Sequence, residues 1–151
     1  MLENWKYHLW KKDQIDRNDI DAYIGYKIYP EDIEIFSNIL YPDFMEYKNC
    51  IIKLPSGCTQ DEIKDIQLLF DKWEGENLTT SQIEKVMNYT IISEIFFETS
   101  SSSNISTLSN IANLISLNWE ICLKKKFPNR NFDIVVSNDD DQVSLTFSQV
   151  S

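Results

Sequence analysis

ISTLSNIANLISLNWEICLKKKFPNRNFDIVVSNDDDQVSLTF, residues 105–147, changes its hydrophobic period partway along, and that change decides the fold class. Leu108, Ile111, Ile115, Trp119 and Cys122 recur at helical spacing, with Leu114, Leu117 and Ile121 widening the stripe. This pattern predicts a helix over 105–126 that is apolar around much of its circumference and central to the core. Lys124, Lys125 and Lys126 stand where cations suit a helix C-terminus, and Pro128 follows. Beyond it the period drops to two. Phe132, Ile134 and Val136, then Val143, Leu145 and Phe147, alternate with their neighbours on either side of the polar SNDDDQ, which predicts a hairpin.

Working backwards, the same logic places a second hairpin. DFMEY (43–47) and CIIKL (50–54) are strand-like runs joined by Lys48-Asn49. Thr59 with Glu62 forms a T-x-x-E capping box for a helix carrying Ile63, Ile66, Leu69, Phe70 and Trp73 on one face and ending at Gly75. Another helix is predicted from near Thr80, with Ile83, Val86 and Met87 on one face, and 91–97 either extends it or begins a new turn. Ser100–Ser103 reads as a loop. At the N-terminal end, Leu2, Trp5 and Leu9, with Trp10 beside them, predict an amphipathic helix over 2–12. Residues 13–21 form an acidic connector, 22–29 reads as a strand, and Pro30 starts a helix over 31–40 with Ile35, Phe36, Ile39 and Leu40 inward. The expected fold is therefore α+β: one domain, 1–151, with an antiparallel sheet of hairpins packed against four to five helices.

Composition narrows the function. The chain carries a net charge of −10 over 151 residues, with nineteen acids against ten bases in 1–98 and five against four in 99–151. A nucleic-acid binder needs a basic face, and an anionic membrane repels the same charge, so a basic protein partner is favoured. Met1 to Trp10 lacks a clean apolar signal segment, and no run approaches a bilayer span. Cys50, Cys58 and Cys122 have no CxxC spacing and read as reduced thiols, so the expected compartment is the cytoplasm.

Catalytic parts are scarce. His8 is the single histidine, read as an exposed helix residue rather than a base or metal ligand. Asp16-x-Asn18 echoes a calcium loop, but Ile20 and Lys27 occupy its fifth and twelfth positions. Asp139, Asp140 and Asp141 read as a solvated turn. No glycine-rich phosphate loop, nucleophile elbow or zinc motif is present, so no enzyme, metal or cofactor is expected. A carboxylate pair would require a pocket that sequence cannot select. Trp5, Trp73 and Trp119 read as core anchors, with Trp10 the exception. Tyrosines interleaved with acids suit a protein-binding surface and equally a half-buried sheet. The candidate partner-binding set is Asp16, Asp19, Asp21, Tyr23, Tyr26, Tyr29, Glu31, Asp32 and Glu34, the acids steering and pairing, the tyrosines anchoring.

Three segments carry a resemblance: YPDFMEYKNCIIKL (41–54), IEKVMNYTIISEIF (83–96), and Trp119 to Phe132 with its Phe127-Pro128 and Arg130-Asn131-Phe132. Together, over roughly a third of the chain, they resemble immunity proteins of bacterial contact-dependent growth inhibition (polymorphic toxin) systems. Tyr89 stands where the family pattern has His. The resemblance implies a non-catalytic cytosolic protein that binds a cognate toxin C-terminal domain, commonly a nuclease with a basic cleft. The alternative is an acidic adaptor or regulatory module with an unrelated protein partner. Oligomeric state is left open by both.

Overall fold

Capping and turn chemistry set most of the element boundaries. The structure is a computed structural model and describes residues 4–150. Asn4 caps α1 (Trp5–Lys12), its side chain accepting from the Lys6 and Tyr7 amides. Asp19 caps α2 (Ile20–Lys27) by accepting from the Ala22 amide at 2.7 Å. Pro30 opens α3 (Pro30–Leu40). The first hairpin, β1 (Phe44–Tyr47) and β2 (Cys50–Lys53), turns through Lys48 and Asn49, both at positive φ, as a two-residue hairpin loop requires. Capping boxes start both α4 (Gln60–Glu74), from Thr59 and Glu62, and α5 (Thr80–Met87), from Thr79 and Gln82.

A two-residue strand, β3 (Thr90–Ile91), runs directly into one turn of helix, α6 (Ile92–Ile95), and a 3-10 turn covers Ser100–Ser102. Then comes α7 (Ile105–Lys126), with the predicted bounds, capped by Asn104. The second hairpin is β4 (Asn131–Asp139) and β5 (Gln142–Val150), turning on Asp140 and Asp141 at positive φ. The described residues therefore form an α+β fold with seven α-helices, more than the four to five expected.

Several expectations need correction. Residues 22–29 are not a strand: Asp19 and Asp21 start a helix there, and its one buried residue, Ala22, leaves the aromatic alternation with no sheet to face. On α1, Leu2 lies outside the described residues, Trp5 and Leu9 are exposed, and Tyr7 is the buried residue. On α7 the inward face is Leu108, Ala112, Ile115, Trp119 and Leu123, while Leu114, Leu117 and Ile121 are exposed. Ala112 is buried while those larger residues are not, so the buried stripe is displaced from the apolar one. Ile35 of α3 and Leu69 of α4 also face outward.

By internal packing the chain divides into two units, Met1–Ser37 and Asn38–Ser151. In the first, Tyr7 donates its hydroxyl hydrogen bond to the Asn18 carbonyl at 3.0 Å, and Tyr23 meets the Tyr7 and Trp10 rings edge-on. In the second, Cys50, Ile52, Phe70 and Ile83 form a core between the first hairpin, α4 and α5. An aromatic cluster fills another part of it: Phe147 meets Phe44, Trp119 and Phe132 at near-perpendicular angles.

The hairpins do not join into one sheet. β1 and β2 stand as a pair, and β3-β5-β4 form a separate three-stranded antiparallel sheet. Pairing along one edge of β5 runs from Ile91 opposite Ser144 to Thr90 opposite Leu145, then stops where the preceding chain is helical. Past that point α5 supplies side chains in place of a strand. Glu84 accepts from the amides of Ile51 (2.8 Å) and Gln149 (2.6 Å) and from the Gln149 side-chain amide. Asn88, one helical turn on, accepts from the Lys53 amide (2.8 Å) and donates to the carbonyls of Ile51 (2.9 Å) and Phe147 (3.3 Å). Both residues are fully buried. They satisfy backbone groups on β2 and β5 at once, so two strand edges are welded without a ladder.

Candidate functional site

The sequence pointed to residues 16–34, and the fold divides that set by exposure and by prior commitment. All nine residues fall in the first unit. Asp16 lies exposed in the connector between α1 and α2. Asp19 is engaged as the α2 cap and stands 3.9 Å from Arg17. Asp21 is in the first turn of α2, and Glu31 and Asp32 are in the first turn of α3, where their charge favours the helix dipole. Glu34 is exposed one turn further along α3. Tyr23 is half-buried against Tyr7 and Trp10 and is held there. Tyr26 and Tyr29 are 70% and 69% exposed, Tyr26 with a tilted contact to the Trp10 ring at 6.2 Å, and both offer ring surface to solvent.

The aliphatic neighbours of these residues escaped the sequence reading. Ile15 is 95% exposed, and Ile24, Ile33 and Ile35 are exposed too. Periodicity had turned Ile35 inward, because a helical stripe looks the same whether it meets a core or a partner. The first unit thus presents carboxylates, two open tyrosines and uncovered isoleucines along one short stretch of chain. Exposed carboxylates together with exposed aromatic and aliphatic side chains are a composition suited to contact with a cationic partner.

Elsewhere several charged groups are tied into the fold. Lys48 donates to Asp71 (2.8 Å) and Glu74 (2.9 Å), and these hydrogen bonds hold its ammonium well above the usual lysine range. The Asp71 carboxyl is correspondingly pulled down, first by Lys48 and also by the Tyr47 hydroxyl. Arg130 ties the rim of the two hairpins, donating to the Asn49 carbonyl, Gln149 Oε1 and Glu46. Lys126 reaches the Phe44 carbonyl at 2.7 Å. Cys50, Cys58 and Cys122 are free thiols, and burial pushes the Cys50 thiol up to about 11, away from nucleophilic use.

Two cavities lie in the second unit. One, about 420 Å³, is bounded by Asn49, Thr79, Ser81, Glu84 and Gln149 and contains one carboxylate. The other, about 240 Å³, contains none; Lys53 and Trp119 are on its wall. Neither brings two carboxylates together. Among the described residues no cluster of three His, Cys, Asp or Glu side chains could hold a metal ion, and Asp140 and Asp141 form an exposed turn. No described helix is long and apolar enough to cross a membrane. Trp119 and Trp73 do anchor the core, whereas Trp5 is 46% exposed.

Asn88 and Arg130, two residues within the segments that carry the family resemblance, have structural roles here, at the weld and the hairpin rim. Compared with protein-family models, with curated proteins and with solved structures, the chain has no match.

Proposed function

We propose that this chain is an immunity-type binding protein that neutralises a basic toxin domain by direct, one-to-one contact. The observation that carries the proposal is the joint exposure, within residues 15–35, of Tyr26, Tyr29, Ile15, Ile33 and Ile35 beside Asp16, Asp21, Glu31, Asp32 and Glu34. Exposed tyrosines and isoleucines set among carboxylates supply the apolar contact area that a charged surface alone would lack. The resemblance to polymorphic-toxin immunity proteins supplies the partner class, and the acidic balance supplies its sign. Exposed carboxylates would engage the Arg and Lys groups that a nuclease cleft offers to phosphate.

Co-expression with the C-terminal domain of the protein encoded immediately upstream tests this directly, scored by growth rescue and co-purification. The informative variant reverses Asp16 and Glu34 to lysine and spares the Asp19 cap and the first-turn acids of α2 and α3. We expect association to slow roughly tenfold or more at low salt and to lose most of its salt dependence, with folding unchanged. Unchanged kinetics would place the interface elsewhere. Cell death despite folded, soluble protein, with no complex formed, would favour the adaptor reading.

A further inference from the structure

The smaller cavity has an unusual cation on its wall. Lys53 closes β2, and its amide is fixed by Asn88 in the weld, so its side chain starts from a rigid point. From there the ammonium lies over the indole ring of Trp119, 5.7 Å from the ring centroid. Trp119 is itself immobile: it is 1% exposed and its indole N–H donates to the Ile39 carbonyl at 2.8 Å. The rest of the wall is mainly aliphatic, formed by Ile39, Pro42, Leu54, Pro55 and Ile95, with Asn38, Ser56 and Thr90 as its uncharged polar residues.

Among the described residues, no carboxylate pairs with the Lys53 ammonium and no acceptor takes a hydrogen bond from it, in contrast to Lys48, Lys124, Lys126 and Arg130. No other ionisable side chain lines the cavity. Burial therefore acts on this group uncompensated and lowers its pKa. A mostly buried cation whose one protein partner is an aromatic face is an incomplete ion pair.

From this geometry we infer that the Lys53–Trp119 cavity is a binding site for a small organic carboxylate, its anion on the Lys53 ammonium and its apolar body against Leu54, Pro55 and Ile95. A cavity of about 240 Å³ suits a compact monoanion rather than a nucleotide. The apolar wall disfavours inorganic phosphate, which has no apolar part to bury. This inference is independent of the toxin-binding surface, which lies on other residues.

Phenylacetate titrated into the intact 15N-labelled protein is the test, with 2-phenylethanol as its neutral counterpart and inorganic phosphate as a charge-only control. Saturable shifts at the Lys53 and Thr90 amides and the Trp119 indole N–H are expected with phenylacetate alone. Binding should weaken about tenfold or more in Lys53→Met, which keeps the stem and removes the charge. It should also fade as pH rises through the lowered Lys53 range, where the ammonium is lost. Equal binding of 2-phenylethanol, equal binding by a folded Lys53→Met, or no saturable shift with phenylacetate would each overturn the assignment. Should Lys53→Met fail to fold, the pair of probes on the unaltered protein still decides. Tighter binding of phosphate than of phenylacetate would refute the carboxylate class.

Discussion

Residues up to Ser37 and residues from Asn38 onward both leave large apolar side chains exposed, Phe97 and Leu117 among those of the second region, but they differ sharply in how many they bury. Of the buried hydrophobic residues described, only Tyr7 and Ala22 belong to the first region; all the others, from Phe44 to Phe147, belong to the second. The second region goes as far as burying a carboxylate and an amide, Glu84 and Asn88, to complete its interior. The first leaves Ile15, Tyr26, Tyr29, Ile33 and Ile35 in water. Hydrophobic content alone does not distinguish a core from an interface. What separates them here is whether strand edges close on one another within the same region, since ring contacts occur in both.

This contrast can be broken most forcefully at the weld. Glu84→Ala leaves the Ile51 and Gln149 amides and the Gln149 side chain without their acceptor, and urea unfolding should register a loss of about 4 kcal/mol. Asn88→Ala should cost about 3 kcal/mol for the same reason. A loss under about 1 kcal/mol for both would mean that the hairpins are held by apolar packing alone. An intermediate effect belongs to Thr59→Ala, which removes one half of a capping box and should cost about 1 kcal/mol. The pH dependence of the box has a defined sign. The Thr59 backbone N–H, and secondarily its hydroxyl, hold the Glu62 carboxyl below its ordinary value of 4.5. The linked stability is present above that value and drains away as pH falls through the lowered one, so the gap between a Glu62→Gln variant and the unaltered protein should narrow in acid. The smallest effect is expected at Tyr26→Ala and Tyr29→Ala, within about 0.5 kcal/mol in thermal or urea unfolding. A large loss there would mean that these rings are part of the protein's own packing.

Legibility followed the range of the interactions. The bounds of α7, the capping box of α4 and the two hairpin turns are written in residues a few positions apart, and their chemistry is local. The helix at Ile20–Lys27 was misread because aromatic alternation mimics a strand, although Asp19 followed by Asp21 was a start signal. β3 has two residues and a partner more than fifty positions away, so no window of sequence could reveal it. The candidate acids and tyrosines were found by composition, but their exposed isoleucine neighbours could not be told from core. Glu84 and Asn88 did leave a trace. They sit four apart beside Ile83 and Met87, polar residues on the buried side of an amphipathic helix, and that conflict marks an internal partner.

The weld also has a consequence in time. Its hydrogen bonds join α5 to strand residues thirty-three positions earlier and sixty-five later, so the chain must close two long loops before Glu84 meets both Ile51 and Gln149. Each hairpin and each capped helix can form from its own neighbourhood, whereas the weld waits for all of them. It therefore belongs with the late events of folding, where an interaction lengthens the lifetime of the finished structure more than it hastens its arrival.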